Sequence, residues 1–216
     1  MHTLAILPVK RFELAKQRLG ARLPAAQRET VARAMVEDVL HTLVASSELA
    51  GVLVVTNEPA VAALAETLGA LVEPDRAEAG QSAAVGAGIA YALQAGIERV
   101  LLIPGDCPAL DGEELAVLLA HHGDGQVVVV VPDRHGTGTN ALLLTPPDVI
   151  APAFGPGSFA RHRQLADDAG ALCETARPST LLLDVDTPED LAALLATASE
   201  RAPRTRTAFA ALTAER

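Results

Sequence analysis

At 216 residues the chain has room for one large α/β domain with at most a small appendage. Half of it is hydrophobic and only 2% is aromatic, so the core is built from Ala, Val and Leu, while a formal net charge of −10 argues against nucleic acid or an anionic membrane as main partner. Two cysteines, Cys107 and Cys173, make no disulfide framework. No signal-peptide-like run opens the chain and no apolar stretch of about eighteen residues follows, so a soluble cytoplasmic protein is expected.

The first apolar run, 3–8, reads as a buried strand and leads straight into a basic loop. From Lys10 to Arg22 lie five cations, Lys10, Arg11, Lys16, Arg18 and Arg22, against one acid, Glu13. Lys10 and Lys16 are the chain's only lysines; arginine carries every other positive charge. A cationic loop after a strand, on an otherwise anionic chain, points to a phosphate site.

Strand-like runs then recur at 51–55, 70–72, 100–103, 127–131, 141–144 and 181–183. Between them, 24–44, 59–68, 83–95 and 111–121 carry apolar residues near the helical period. This alternation predicts a mostly parallel sheet covered by helices, with 141–144 antiparallel and near an edge because only a loop separates it from 127–131. A helix is expected over 158–169, and another from Thr187-Pro188-Glu189-Asp190, where a cap, an N1 proline and first-turn acids coincide. The domain is expected to span 1–198; residues 199–216 show no sustained apolar face and read as a flexible tail.

Ligands of open α/β sheets sit at the carboxyl ends of the strands, and four loops there carry unusual chemistry. Gly105-Asp106-Cys107-Pro108 puts one acid just past a strand. Asp184-Val185-Asp186 puts two more past the run 181–183, and residues i and i+2 of an extended segment face the same side. If those two segments are neighbours, three carboxylates converge, a cluster that calls for a hard cation such as Mg²⁺ completed by substrate phosphates. The alternative is stiff turns in which the acids cap helices. Arg134-His135-Gly136-Thr137-Gly138-Thr139-Asn140 offers glycines and polar side chains, either for an anion or as a polar hairpin loop. Phe154-Gly155-Pro156-Gly157-Ser158 feeds a helix N-terminus, either an anion cradle or an ordinary cap. No P-loop is present, Gly86-Ala87-Gly88 lacks the third glycine of a dinucleotide fingerprint, and the six histidines show no zinc spacing. His162 reads as a decoration of its helix.

Three of these elements resemble a known family: Pro8-Val9-Lys10 with Ala15-Lys16-x-Arg18-Leu19, Gly136-Thr137-Gly138-Thr139-Asn140, and Asp184-Val185-Asp186-Thr187-Pro188-Glu189-Asp190. Gly155-Pro156-Gly157-Ser158-Phe159 with His162 adds a fourth. The chain resembles the phosphoenolpyruvate / 2-phospho-L-lactate guanylyltransferases of coenzyme F-420 biosynthesis, in the MobA-like nucleotidyltransferase superfamily. The resemblance implies a three-layer α/β/α sandwich with a mostly parallel sheet, the GT-A-like nucleotidyltransferase fold. It implies transfer of GMP from GTP to a phosphorylated three-carbon acid. By position, Asp106, Asp184 and Asp186 would bind Mg²⁺, Lys10, Lys16 and Arg18 would meet the GTP phosphates, and Thr139, Gly155 and Ser158 would hold the acceptor acid. Relatives usually show Gly-Leu-Asn where this chain has Gly80-Gln81-Ser82. Other readings are a molybdenum-cofactor or sugar nucleotidyltransferase of the same fold, or a non-catalytic nucleotide-binding protein.

Overall fold

The structure is a computed structural model and describes residues 2–14, 23–76, 80–121, 123–197 and 200–214. Seven strands form one sheet: β1 (Thr3–Val9), β2 (Gly51–Thr56), β3 (Leu71–Glu73), β4 (Arg99–Leu102), β5 (Val127–Pro132), β6 (Thr139–Thr145) and β7 (Leu172–Thr175). Their order is β3-β2-β1-β4-β6-β5-β7. Every neighbouring pair is parallel except the two made by β6, which runs against both β4 and β5. The short connection from β5 to β6 leaves no room for a crossover helix, so a reversal is forced.

The strand residues alternate between two cores. Ala5, Leu7 and Val9 of β1 join the first, whereas Leu4 and Ile6 join the second. In β5 the run Val127–Pro132 is buried throughout, with odd-numbered valines in the first core and even-numbered ones in the second. This is why the strands read as continuous apolar runs rather than alternating ones.

The first core is covered by α1 (Ala25–Ala45), α2 (Pro59–Thr67), α4 (Gly112–Leu119), α6 (Pro188–Ala196) and α7 (Pro203–Ala214); the second by α3 (Gln81–Gln94) and α5 (Ser158–Asp168). The result is an α/β/α sandwich. In α3, a Cβ on Gly88 would meet Ile6 Cγ2 at 2.5 Å, so this glycine lets the helix lie directly on β1 and has no phosphate role.

Three expectations change. The segment 141–144, expected near an edge, belongs to β6, which is paired on both sides by β4 and β5. The run 181–183 is not a strand; Ser179–Leu181 is a single 3-10 turn, and the seventh strand is β7 at the sheet edge. Residues 203–214, expected as a tail, form α7, which packs Phe209 and Leu212 against the first core. Its first turn is tied to α1: the buried Asp38 carboxylate accepts from Arg204 N (3.1 Å), Thr205 N (2.9 Å) and the Thr205 hydroxyl (2.8 Å). The cap thus comes from a residue far back in the chain, beyond any local signal. No described helix is long and apolar enough to cross a membrane.

Candidate active site

The carboxyl ends of β1 and β4 and the N-terminal end of the antiparallel β6 meet at one rim of the sheet. There a cavity of about 240 Å³ opens between α1, the start of α3 and the loop after β4. Lys10 lines it from the end of β1, Gly80 and Gln81 from the start of α3, and Asp106 from the loop after β4, with Asp186 completing the wall. Asp75 lines it as well, so one cation and three acids share the pocket. A Cβ on Gly105 would meet Val36 Cγ2 at 2.8 Å, so glycine lets the backbone beside Asp106 press against α1.

The acidic segments meet without a strand pairing. Val185 N–H donates to the Asp106 carbonyl at 2.9 Å, which sets Asp184 and Asp186 on either side of that contact. Asn140 Nδ2 donates to the Leu181 carbonyl at 2.8 Å and to Asp184 Oδ1 at 3.3 Å. Burial first, then the neighbouring Asp106 carboxylate and more weakly Asp186, pushes the Asp184 pKa up against the opposing Asn140 hydrogen bond. Asp184 thus senses the charges of both other acids. Among the described residues, however, no three acidic, His or Cys side chains are arranged as a ready-made metal cage.

Asp190 holds the acidic segment from below. Its Oδ2 accepts from Asp186 N (3.1 Å), Thr187 N (2.8 Å) and the Thr187 hydroxyl (2.8 Å), and the Thr187 hydroxyl in turn caps α6. Its other oxygen is ion-paired to Arg134 of the glycine loop. In that loop, burial disfavours the Asp133 carboxylate. The N–H groups of Thr137 and Gly138 and the Thr137 hydroxyl outweigh this and keep its pKa below the ordinary range.

Thr139, Gly155 and Ser158 gather a short way along the rim, joined to the acids by the adjacency of Thr139 to Asn140. Thr139 Oγ1 lies 2.9 Å from His162 Nδ1, and His162 Nε2 accepts from Ala153 N at 2.9 Å. Ser158 opens α5 and is 1% exposed; Gly155 and Gly157 before it have φ of 113° and 72°, a conformation that favours glycine. Phe154 N–H donates to Ser82 Oγ (3.1 Å), and Phe159 N–H donates to the Thr137 carbonyl (3.2 Å). Ser82 therefore links the start of α3 to the loop 153–158. Lys16 and Arg18 lie outside the described residues.

Sequence reasoning quoted Asn140, Asp190, Ser82 and His162 within motifs, and offered the loop ending in Asn140 for an anion, but gave none of the four the hydrogen-bond partner it has here. Asp190 had a local signal, the Thr-Pro-Glu-Asp capping box. The other three act through partners at sequence separations of 41, 72 and 23 residues, which no local pattern reveals.

Comparison with known proteins fits this arrangement. The family model described as "Guanylyl transferase CofC like" matches residues 3–206. A phosphoenolpyruvate guanylyltransferase of Conexibacter woesei is 49% identical over 195 residues, covering 90% of this chain and 87% of that protein. One from Sphaerobacter thermophilus is 37% identical over 193 residues, covering 88% and 91%. Among solved structures, a nucleotide-diphospho-sugar transferase from Desulfovibrio desulfuricans superposes with a TM-score of 0.73 at 18% identity, over 93% of this chain and 90% of that one, a likeness of fold. On the match of its sequence along nearly its whole length, the chain belongs to the CofC-like guanylyl transferase family.

Proposed function

We propose that this guanylyltransferase transfers GMP from GTP to phosphoenolpyruvate in coenzyme F-420 biosynthesis and releases pyrophosphate. The observation that carries the reading is the shared cavity lined by Lys10, Asp106 and Asp186. The relatives' names supply the acceptor.

The acceptor's phosphate oxygen attacks the α-phosphorus of GTP, a new P–O–P bond forms, and the α–β bond breaks. No general base is required, because a phosphate monoester has a second pKa of about 6 and is largely ionised near pH 7. The obstacles are repulsion between two polyanions and charge growing on the departing pyrophosphate. Asp106, Asp184 and Asp186 are hard oxygen donors whose mutual repulsion raises Asp184, a donor set that fits Mg²⁺. The incomplete cage fits too, since Mg²⁺ is usually bound through one or two carboxylates with phosphates and water filling the rest. When bound, Mg²⁺ supplies neutralisation of the phosphates and alignment for in-line attack.

The chain's own residues do the remainder. Lys10, with Lys16 and Arg18, stabilises charge on the leaving pyrophosphate. Thr139, Gly155 and Ser158 orient the acceptor through its carboxylate and phosphate, using the two hydroxyls and the Gly155 backbone N–H. Gly80 and Gln81, which line the cavity, border its base side.

The test is pyrophosphate release on mixing the protein with GTP and, separately, phosphoenolpyruvate, 2-phospho-L-lactate and 3-phosphoglycerate, with and without a chelator. Release with phosphoenolpyruvate that stops on chelation is the expected result. Faster turnover of 2-phospho-L-lactate would reassign the acceptor, and release that survives chelation would remove the metal from the reading.

A further inference from the structure

We propose that His162 is a positioning residue for the acceptor acid: it fixes the Thr139 hydroxyl so that the hydroxyl's own proton is presented to the acceptor's anionic group. The inference rests on the assignment of Thr139 to the acceptor made above.

The His162 side chain is fully buried, and the partners of its two ring nitrogens are both identified. An amide N–H can only donate, so the contact from Ala153 N to Nε2 at 2.9 Å requires Nε2 to be bare. A neutral ring must then carry its proton on Nδ1. Burial, reinforced by Arg161, lowers the His162 pKa to about 4, so the ring is neutral near pH 7. The Nδ1–H therefore donates to Thr139 Oγ1, 2.9 Å away.

That donation settles what the threonine does. A hydroxyl has one hydrogen and two lone pairs; with a lone pair committed to His162, its hydrogen is left for another acceptor. Among the described residues this hydroxyl has no other hydrogen-bond partner. Thr139 is 9% exposed, at the rim beside Asn140 and Asp184. An unconstrained hydroxyl would rotate and present a lone pair to an incoming anion part of the time. One pinned by a buried imidazole is prearranged as a donor. The ring plane is itself fixed, by an edge contact with Phe154 at 5.1 Å between centroids and 70° between planes. The same imidazole holds Ala153, at the head of the loop that carries Gly155 and Ser158. The two halves of the ring thus make separate contacts: Nδ1 fixes the Thr139 hydroxyl that meets the acceptor, and Nε2 ties Ala153.

Two near-isosteric changes separate these halves. In His162→Gln the amide oxygen reaches the place of Nε2 and keeps an acceptor for Ala153 N–H, but the donor to Thr139 is lost. In His162→Asn the amide nitrogen stands near Nδ1 and keeps that donor, while the tie to Ala153 is lost. With phosphoenolpyruvate varied at saturating GTP, His162→Gln and Thr139→Val should each raise the acceptor KM about tenfold or more, the worth of one hydrogen bond to a charged group. The KM for GTP should stay unchanged, His162→Asn should recover most of the loss, and the double variant His162→Gln/Thr139→Val should be no worse than Thr139→Val alone.

A silent His162→Gln beside an impaired Thr139→Val overturns the inference and leaves Thr139 in the acceptor site. A silent Thr139→Val removes both. Effects that multiply in the double variant, an equal rise in KM for GTP, or a His162→Asn no better than His162→Gln reduce His162 to a packing residue. Independently of turnover, ¹⁵N NMR of the wild-type protein should show the proton on Nδ1; a proton on Nε2 overturns the inference.

Discussion

The carboxyl of Asp184 is pushed above the ordinary range by burial, by Asp106 and by Asp186. A group whose folded pKa exceeds its unfolded one binds more protons when folded, so its charge at pH 7 costs stability, and stability rises as pH falls into its titration range. Asp184→Asn removes that charge yet keeps an oxygen to accept from Asn140 Nδ2. It should therefore raise the Tm of the metal-free protein while lowering kcat by about a hundredfold or more, the scale of losing a metal's charge stabilisation. Paired calorimetry and turnover measurements check this; a lowered Tm with normal turnover would remove Asp184 from the reactive centre. The three acids stood out in the sequence because Asp106 and the pair Asp184 and Asp186 each come just past an apolar run. The residues that tie the surrounding loops together did not. Asn140, Ser82 and His162 are ordinary polar residues locally, and their roles come from hydrogen bonds to distant segments.

The helices announced themselves more clearly than the connections between them. Pro59 at the start of α2 and the Thr187 capping box of α6 stand where local rules put them. The errors have a common cause. The run 181–183 looked like a strand, but the Leu181 carbonyl is taken by Asn140 and Thr180 is bound through N–H and hydroxyl to the Glu114 carboxylate, which curls the chain into a turn. β7 was missed because an edge strand that pairs with β5 alone has little need of an apolar pattern, and Leu172 at its start is indeed exposed. α7 escaped because its cap is Asp38. Asp38→Ala would leave the Thr205 hydroxyl and two backbone N–H groups without their acceptor, and should cost about 2 kcal/mol of stability. The loss should be local, with trypsin cutting at Arg201, Arg204 and Arg206 faster than elsewhere. Unchanged proteolysis of that segment together with an unchanged denaturation midpoint would show that α7 is held by its apolar contacts alone.

At the scale of the whole molecule, acidification sets opposing effects against one another. Asp184 favours folding as pH falls, and the surface approaches neutrality near the sequence pI of about 5.0, which relieves self-repulsion among the acids. His162 acts the other way, from inside the second layer of the sandwich. Its ring takes up a proton at about 6.5 in the unfolded chain and at about 4 when folded. Between those values the unfolded state binds more protons, so stability is fully present above pH 6.5 and is lost as pH falls toward 4. A shift of that size amounts to about 2 kcal/mol by pH 5 and about 3 kcal/mol at its limit. The physical content is a clash: an imidazolium carries a proton on Nε2, which would face the Ala153 N–H donor, while the ring has no water to solvate its charge. The loop 153–158 should therefore loosen before the sheet does. Denaturation midpoints at pH 7.5 and pH 5 should fall for the wild type. They should fall less for His162→Gln, which keeps the Ala153 acceptor but cannot be protonated. Equal slopes in the two proteins would show that surface carboxylates, not this buried ring, set the acid limit of the fold.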